Sequence, residues 1–212
     1  MTTFDVTSDA AAGVEAAVTA LQDGGLVVLP TDTVYGIAAD AFSPTAVAAL
    51  LAAKGRGRDM PVPVLVGSWR TLDGLVDELG PLARRMVQEF WPGPLTLIVR
   101  AAPSLAWDLG ETRGTVAVRM PQHPVALEVL TQTGPLAVSS ANRSGMPPAV
   151  DAADAEAQLG DAVQVYLDAG PAGEPVPSTI VDLTGDRARV LRSGALPVAR
   201  LRELAPDLEV TA

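Results

Sequence analysis

Residues 26–58 read LVVLPTDTVYGIAADAFSPTAVAALLAAKGRGR and hold, in order, a strand, a polar turn and a helix. The apolar run 26–29, which a proline follows, predicts a buried strand. Ser43 suits the N-cap of the helix, Pro44 its first position, and Gly55 its C-terminal end. A strand followed by a well-delimited helix is typical of α/β layered folds.

Strands and helices alternate along the rest of the chain, without an internal repeat. Strands are predicted at 62–66, 95–100, 115–119, 136–139, 163–167, 179–183 and 189–191, and helices at 8–22, 68–79, 81–90, 124–131 and 197–204. Ser8 is the predicted cap of the first helix. Pro61 and Pro63 place the 62–66 strand at a sheet edge or in an irregular stretch, because proline cannot donate a ladder hydrogen bond.

The composition fits one domain with a sizeable core. Of the 212 residues, 48% are hydrophobic and only 4% aromatic, so Ala, Val, Leu and Ile must fill most of the interior. We expect the domain to span residues 10–204, with an N-terminal extension at 1–9 and a frayed tail at 205–212.

Charge and residue usage exclude several classes of protein. The net charge of −10 argues against tight nonspecific binding to nucleic acid or to an anionic membrane, and leaves room for a weak RNA contact. Without cysteine, and with one histidine, the chain cannot form disulfides, thiolate nucleophiles, zinc–thiolate sites or multi-histidine metal sites. Residues 1–9 lack the pattern of a signal peptide, and no apolar run reaches the roughly 18 residues of a membrane span. The expected location is the cytoplasm.

Positive charge arrives abruptly after an acidic start. The first 53 residues contain no lysine, arginine or histidine, and then Lys54, Arg56 and Arg58 follow within five residues. Such a cluster fits either an anion site or a solvated helix end, where a cation is favoured by the helix dipole. Gly55 and Gly57 let the backbone pass close to a ligand, so Lys54 and Arg56 could meet phosphate oxygens. The glycine-rich phosphate-binding motifs of P-loop and dinucleotide-binding proteins are absent from the sequence.

Polar residues also follow three predicted strands. They are the turn 31–35, Arg119 and the run 139–142. Ligands of open α/β sheets gather beyond strand ends, so these groups can converge on one cleft. Each run on its own also fits a turn or a helix cap. Arg119 is harder to explain structurally, because an arginine that ends an apolar strand is costly to bury unless it is paired.

Two further features favour structural roles. His123 precedes a proline at a predicted helix start, which indicates a capping or packing residue rather than a catalytic base. The run WPGPLT at 91–96 predicts a rigid corner between a helix and a strand.

Taken together, these motifs resemble the YrdC-type family of L-threonylcarbamoyladenylate synthases. The matching pieces are PTDTVYG at 30–36, KGR at 54–56, WPGPLT at 91–96, TVAVRMP at 115–121, SAN at 140–142, STI at 178–180 and RSG at 192–194. They occur in the family's order and cover roughly residues 10–204. The resemblance implies a YrdC-like (DHBP synthase-like) α/β fold: a twisted open mixed sheet with flanking helices and one concave, positively charged cavity. The chain looks like the short, single-domain form.

The resemblance also implies an activity. ATP, L-threonine and bicarbonate would give threonylcarbamoyl-AMP and pyrophosphate by nucleotidyl transfer, for threonylcarbamoyladenosine modification of tRNA. Magnesium would arrive with ATP, and zinc, flavin and NAD are not expected. The product would pass to a downstream threonylcarbamoyl transferase complex, with tRNA contact weak or indirect and no membrane involved.

Roles for individual residues follow from the matching motifs only. The family pattern implies that Lys54 and Arg56 bind the ATP phosphates as the catalytic pair, and that the ATP site is completed by Thr115, Ser140, Asn142 and Arg192. The threonine ligands it implies are Thr33, Arg119 and Ser178, with Arg119 suited to the α-carboxylate. Asp32 is a candidate neighbour of magnesium.

This chain departs from the family pattern at several positions. They are Gly57, where many relatives have proline, the extra cation Arg58 that follows it, and Met60, Leu65 and Pro148, where or near which relatives often carry polar residues. Three alternatives stay open: an RNA-binding or ribosome-maturation module, a carbamoyl-transfer domain like that of hydrogenase-maturation proteins, and an inactive relative. The net charge counts against the first, the lack of cysteine against the second, and the retained motif residues against the third.

Overall fold

The computed structural model describes residues 1–173 and 176–211, and in this part of the chain one mixed sheet of 11 strands forms the centre. The strands are β1 (Thr2–Asp5), β2 (Val27–Leu29), β3 (Gly36–Asp40), β4 (Val64–Leu65), β5 (Leu95–Arg100), β6 (Thr115–Arg119), β7 (Leu136–Ser140), β8 (Val165–Asp168), β9 (Thr179–Asp182), β10 (Arg189–Arg192) and β11 (Glu209–Val210). Their order across the sheet is β1-β8-β2-β3-β7-β4-β6-β5-β9-β10-β11. The expected α/β fold with an open mixed sheet is confirmed.

Helices flank the sheet. They are α1 (Ala10–Gln22), α2 (Pro44–Lys54), α3 (Leu72–Leu75), α4 (Pro81–Phe90), α5 (Pro124–Thr133), α6 (Ala152–Leu159) and α7 (Val198–Leu204). The predicted limits of α2 are confirmed: the Ser43 side chain accepts from the backbone N–H of Ala46, Pro44 is the first residue, and Gly55 ends the helix with φ at 61°. Glycine suits this C-terminal position because it adopts the left-handed conformation without strain.

Two helix predictions need correction. The cap of α1 is Asp9, whose carboxylate accepts from the N–H of Ala12, and not Ser8. The helix predicted at 68–79 is a 3₁₀ turn at Trp69–Thr71 followed by the single turn α3. It stops because Val76 takes an extended conformation and bridges to Ala101.

The strand at 62–66 is shorter and more central than predicted. Only β4 is ladder-paired there, and it lies between β7 and β6 in the middle of the sheet rather than at an edge. The carbonyl of Pro63 accepts from Val138 of β7, and the N–H of Val62 donates to Leu109. The prolines therefore shorten the strand without moving it outward, since their carbonyls still accept hydrogen bonds.

Both chain ends contribute strands that the sequence does not predict. Strand β1 pairs in parallel with β8, and β11 pairs in parallel with β10. The prediction of a frayed tail is thus wrong for residues 209–210. Ala212 and residues 174–175, which fall in the predicted tail and domain, lie outside the described residues. Strand β3 and helix α6 were not predicted either.

The two faces of the sheet are covered unequally, and this creates the cavity. On one face α1 and α5 pack against β2, β3, β7 and β8. On that same face, the side chains of Ile98, Ala117 and Ile180 in β5, β6 and β9 stay only half-buried. Their neighbours in sequence are fully buried on the opposite face, against the core that α2, α4, α6 and α7 cover. Successive side chains of a strand alternate between faces, so the uncovered half of one face becomes a concave floor.

Candidate active site

A cavity of about 370 Å³ lies over this uncovered part of the sheet. Leu65, Ile98, Ala117 and Ile180 form an apolar floor. The polar lining consists of Thr31, Thr33, Arg56, Thr96, Arg119, Ser139, Ser140, Ser178 and Arg192. This lining includes six of the predicted site residues, namely Thr33, Arg56, Arg119, Ser140, Ser178 and Arg192. A larger depression of about 850 Å³ along α1 is lined by Ala12, Glu15 and Asp23 among others and by no cationic side chain, so it lacks the groups that bind an anion.

Arg119 is a buried cation at the end of β6, with 6% of its surface exposed. Its Nη2 donates to Asp32 at 2.6 Å, its Nη1 to the hydroxyl of Thr33 at 2.9 Å, and its Nε to the carbonyl of Gly93 at 3.0 Å. Burial lowers the pKa of the guanidinium, and the charge of Asp32 opposes that effect. Arginine has five N–H donors, so two are not used by these contacts.

Asp32 forms a buried ion pair with Arg119 and so holds its guanidinium in place. Its Oδ1 accepts from Arg119 and, at 2.8 Å, from the backbone N–H of Gln122, while its Oδ2 is buried without a partner. The pairing resolves the cost of burying Arg119 at a strand end, since a paired charge is tolerated where a lone one is not. Asp32 does not line the cavity.

On the opposite side of the floor, three side chains form a second polar group. The hydroxyls of Thr96 and Ser178 share a hydrogen bond of 2.8 Å, and Arg192 donates from Nε to the Ser178 carbonyl and from Nη2 to the Ser178 hydroxyl. The pKa of Arg192 is lowered by burial and by the positive charge of Arg56. The two arginines therefore face the same space, and an anion placed between them relieves their repulsion.

Arg56 enters the cavity from the loop after α2. Its Nη1 donates to the Ser139 hydroxyl at 3.0 Å, and its other contacts are the carbonyls of Met60 and Pro61. Burial lowers the pKa of its guanidinium, with Asp59 opposing the shift. The ion pairs found among residues 1–173 and 176–211 do not include Arg56, so its guanidinium is not held in a salt bridge and can pair with a bound anion.

Lys54 lies beneath the cavity wall rather than on it. Only 3% of the residue is exposed, and its ammonium donates to the backbone carbonyls of Ser140 and Asn142. Burial, and then the nearby charge of Arg56, lower the pKa of Lys54 to about 8. The predicted position at the end of α2 is confirmed, but the side chain points into the protein instead of into solvent.

Asn142 shapes the loop that follows β7. Its side-chain Nδ2 donates to the carbonyls of Arg143 and Met146, at 2.9 and 2.7 Å. Its Oδ1 is buried without a partner, and the residue does not line the cavity. Asn142 thus sits close to Ser140, which does line the cavity, and one of its polar atoms still lacks a donor.

Thr115 stands at the far end of the floor. It begins β6 and lies on the same face as Ala117 and Arg119, because every second residue of a strand shares a face. Its hydroxyl donates to the carbonyl of Thr112 at 2.8 Å. Thr115 does not line the cavity, although Ala117 and Arg119, two and four residues further along the same face, do.

His123 and the corner at 91–96, for which structural roles were predicted, differ in how well they fit those roles. His123 occupies the N-cap position of α5, but its side chain makes no capping hydrogen bond, and Nδ1 is buried without a partner. Burial lowers its pKa, and the charge of Asp32 opposes the shift. The 91–96 corner holds a cis Trp91–Pro92 bond, and Gly93 donates from its N–H to the Met120 carbonyl. That corner also supports Arg119 through the Gly93 carbonyl.

The positions at which this chain departs from the family pattern separate into two groups. Leu65 and Pro148 line the cavity. Arg58 instead forms an exposed ion pair with Asp108, 2.6 Å apart, and the side chain of Met60 is exposed. The extra cation beside the KGR motif is thus a surface charge away from the cavity.

Several lining residues were not predicted. Thr96 supplies a hydroxyl, and Ile98 and Ile180 supply apolar surface, whereas Thr31 and Ser139 belong to the polar runs that were expected to converge on one cleft. The alternation of faces along β5 was a usable signal, since Thr96 and Ile98 share the face of Ala117 and Arg119 once the strands are paired. The pairing itself joins residues far apart in the chain.

Neither a metal cluster nor a membrane helix is found in the part of the chain that the structure describes. Groups of three or more His, Cys, Asp or Glu side chains suited to a metal ion are absent from residues 1–173 and 176–211. Within the same ranges, no helix has the length and apolar character needed to cross a bilayer.

Comparison with known proteins matches most of the chain to one family. The Sua5/YciO/YrdC family model, described as telomere recombination, matches residues 19–194. A Mycobacterium tuberculosis protein provisionally named threonylcarbamoyl-AMP synthase is 62% identical over 192 residues, which cover 91% of this chain and 88% of that protein. The threonylcarbamoyl-AMP synthase of Bacillus subtilis is 35% identical over 193 residues, which cover 90% of this chain and 56% of that protein.

Solved structures agree in fold. The crystal structure of Pyrococcus abyssi Sua5 complexed with L-threonine superposes with a TM-score of 0.90 at 33% identity, covering 93% of this chain. This chain spans 58% of that protein's length. Escherichia coli YciO superposes with a TM-score of 0.80 at 24% identity, covering 87% of this chain and 90% of YciO, and supports the fold alone.

Proposed function

Because the chain belongs to the Sua5/YciO/YrdC family, we propose that it is a threonylcarbamoyl-AMP synthase. It would make threonylcarbamoyl-AMP and pyrophosphate from ATP, L-threonine and bicarbonate. The observation that carries this proposal is the convergence of Arg56, Arg119 and Arg192 on one cavity in a chain with a net charge of −10. A reaction between a nucleoside triphosphate and an N-carboxylated amino acid brings two anions together and needs such a concentration of positive charge.

The threonine substrate would bind at the Arg119 end of the cavity. The two uncommitted N–H groups of Arg119 suit a carboxylate, which accepts two parallel hydrogen bonds from a guanidinium. Thr33 already contacts Arg119, and its hydroxyl is close enough to the same position to take part. Ser178 would approach from the opposite wall, where Arg192 and Thr96 hold its hydroxyl in place.

The triphosphate would lie between Arg56 and Arg192. Both guanidiniums keep unused N–H donors, and their mutual repulsion is relieved by an anion. Lys54 adds positive potential from below the wall, with one ammonium N–H left over from its two carbonyl contacts. Ser140, Asn142 and Thr115 would complete the nucleotide site, as the family resemblance implies.

The chemistry needs no protein nucleophile. The amine of threonine and bicarbonate would give an N-carboxylate with loss of water. A carboxylate oxygen then forms a bond to the α-phosphorus of ATP, and the bond to the pyrophosphate oxygen breaks. The arginines would hold the two anions in contact and offset the charge that grows on the leaving group.

Magnesium would be held mainly by the phosphates of ATP, where it offsets their charge. The described residues offer no cluster of carboxylates for a resident ion, and Asp32 spends one oxygen on Arg119. The second Asp32 oxygen is buried and unpartnered, which makes Asp32 a candidate neighbour of the ion.

The wider setting is proposed on the same basis. The product would be consumed by a threonylcarbamoyl transferase acting on tRNA in the cytoplasm, with tRNA contact to this chain weak or indirect. No observation favours the RNA-binding module over the synthase, because the net charge is −10 and the three arginines that converge line a cavity of only about 370 Å³ rather than a broad surface.

One assay tests the proposal directly. Purified protein is mixed with ATP, magnesium, bicarbonate and L-threonine, and pyrophosphate and the labile adenylate are measured. We expect pyrophosphate release that requires threonine and that Arg56→Ala abolishes without unfolding the protein. If the wild-type protein releases no pyrophosphate that depends on threonine, the proposed function is refuted.

A further inference from the structure

Lys54 is an unusually placed lysine. It is almost fully buried, and the ion pairs found among the described residues do not include it. Lysine is rarely buried unless its charge is compensated. Here the compensation comes from two backbone carbonyls, those of Ser140 and Asn142, which both accept hydrogen bonds from the ammonium.

The contact between Lys54 and the loop 140–146 runs in both directions. The backbone carbonyl of Lys54 accepts from the N–H of Ser144 at 2.8 Å, while its ammonium binds the start of the same loop. Within the loop, the Asn142 side chain bridges to the carbonyls of Arg143 and Met146. The end of α2 therefore holds this loop through one residue, which contacts Ser140, Asn142 and Ser144.

The loop continues directly from two cavity-lining residues. Ser139 and Ser140 end β7, and the Ser139 hydroxyl accepts from Arg56, two residues beyond Lys54. Lys54 itself does not line the cavity. Any shift of the loop relative to α2 would thus move Ser140 and the partner of Arg56 together.

We infer that Lys54 is a positioning residue, which fixes the loop 140–146 to the end of α2 and thereby holds Ser139, Ser140 and Arg56 in register. The consequence for catalysis rests on the proposed function, whereas the effect on the loop does not. A lysine that served only as a phosphate ligand would leave the substrate-free loop unchanged when it is removed. A positioning lysine is required before any substrate binds.

Amide hydrogen exchange of the substrate-free protein separates these two roles. In Lys54→Met, which keeps a long side chain but no donor, we expect exchange at Ser144 and Met146 to rise by about tenfold or more, since local opening sets the exchange rate. Exchange in β5 and β6 should not change. Arg58→Gln is the matched control, because it removes an exposed cation from the same segment, and its loop should exchange as in the wild type.

A second measurement needs no substitution. Lys54 is the only lysine of the chain, so labelling with ¹⁵N-lysine gives a single side-chain ammonium signal. With ¹³C-carbonyl serine and asparagine, we expect hydrogen-bond couplings from that ammonium to two carbonyl carbons, and we expect both to persist when a non-hydrolysable ATP analogue with magnesium binds. This measurement decides the matter if Lys54→Met does not fold.

Unchanged loop exchange in a folded Lys54→Met protein would overturn the inference, as would carbonyl couplings that are absent or that disappear with the nucleotide. Kinetics add an independent reading: positioning predicts that kcat falls by more than tenfold while the dissociation constant of the ATP analogue changes by less. If the wild type makes no adenylate at all, the proposed function fails while the exchange result still stands or falls by itself.

Discussion

Replacement of Asp32 by alanine is expected to lower the free energy of unfolding by about 3 kcal/mol. The carboxylate and the Arg119 guanidinium are 2.6 Å apart, with side chains only 13% and 7% exposed. Removal of one partner from a buried pair typically costs about 3–5 kcal/mol, because the other charge stays buried alone. We take the lower end, since Arg119 borders a cavity that admits water. For a chain of this size that corresponds to a fall in Tm of about 6–12 °C.

The exposed ion pair of the same length is the matched control. Arg58 and Asp108 are also 2.6 Å apart, but their side chains are 56% and 42% exposed. Asp108→Ala should therefore cost about 0–1 kcal/mol. A third variant, Asp32→Ala with Arg119→Met, removes both charges and should be less destabilised than the sum of its single substitutions by about 1–3 kcal/mol.

Urea denaturation followed by tryptophan fluorescence and by circular dichroism measures these three variants and the single variant Arg119→Met against the wild type. Equal m values are required for the comparison. The inferred role of Asp32 is wrong if Asp32→Ala lowers the free energy of unfolding by no more than Asp108→Ala does. It is also wrong if the double variant loses as much free energy as its two single substitutions together, because Asp32 then does not stabilise the buried Arg119.

Three further predictions concern the same site. Arg119→Met should raise the threonine concentration needed for half-maximal activity by at least about tenfold and change the dissociation constant of an ATP analogue little. A threonine titration of the activity and a calorimetric titration with the analogue measure the two quantities; equal losses of both would contradict a threonine role. Because the pKa of Lys54 is lowered to about 8 and that of an unfolded lysine is higher, the native protein binds fewer protons than the unfolded chain above pH 8, so this residue adds stability as pH rises from about 8 toward 10.5. Over the same window Lys54 loses its charge, so binding of the ATP analogue should weaken in the wild type and vary less with pH in Lys54→Met. If the dissociation constant depends on pH in the same way in both proteins, the lowered pKa of Lys54 is refuted. Gly194→Ala should destabilise the protein by about 1–3 kcal/mol and reduce activity, because a Cβ there collides with the Pro177 carbonyl and the backbone of Ser178; Gly185→Ala, whose nearest neighbour atom is 3.9 Å away, is the control in the same thermal melts.

Local signals made several elements predictable. Helix α2 has a serine cap, a proline start and a left-handed glycine end, all within a few residues of one another, and its limits follow from sequence. Strands β5 and β6 also begin and end where predicted, because corner and turn residues bound them. The order of the family motifs likewise identified six residues that line the cavity.

Elements that depend on distant partners were not predictable in the same way. Strand β4 has two ladder-paired residues and lies mid-sheet only because β7 and β6 pair on either side of it. Strands β1 and β11 are short and form at positions where β8 and β10 offer a free edge. A pattern of side chains along one segment carries no information about which other segment will supply its hydrogen bonds.

The sequence by itself determined the alternation of strands and helices, the family motifs and the abrupt placement of positive charge from residue 54 onward. Only the tertiary structure decided what each cation does. It pairs Arg119 with Asp32 across 87 residues, turns Lys54 inward onto two carbonyls and sends Arg58 to the surface. The physical reason is that a charge acquires its role from the groups that desolvate it and pair with it, and those groups come together only when the sheet assembles.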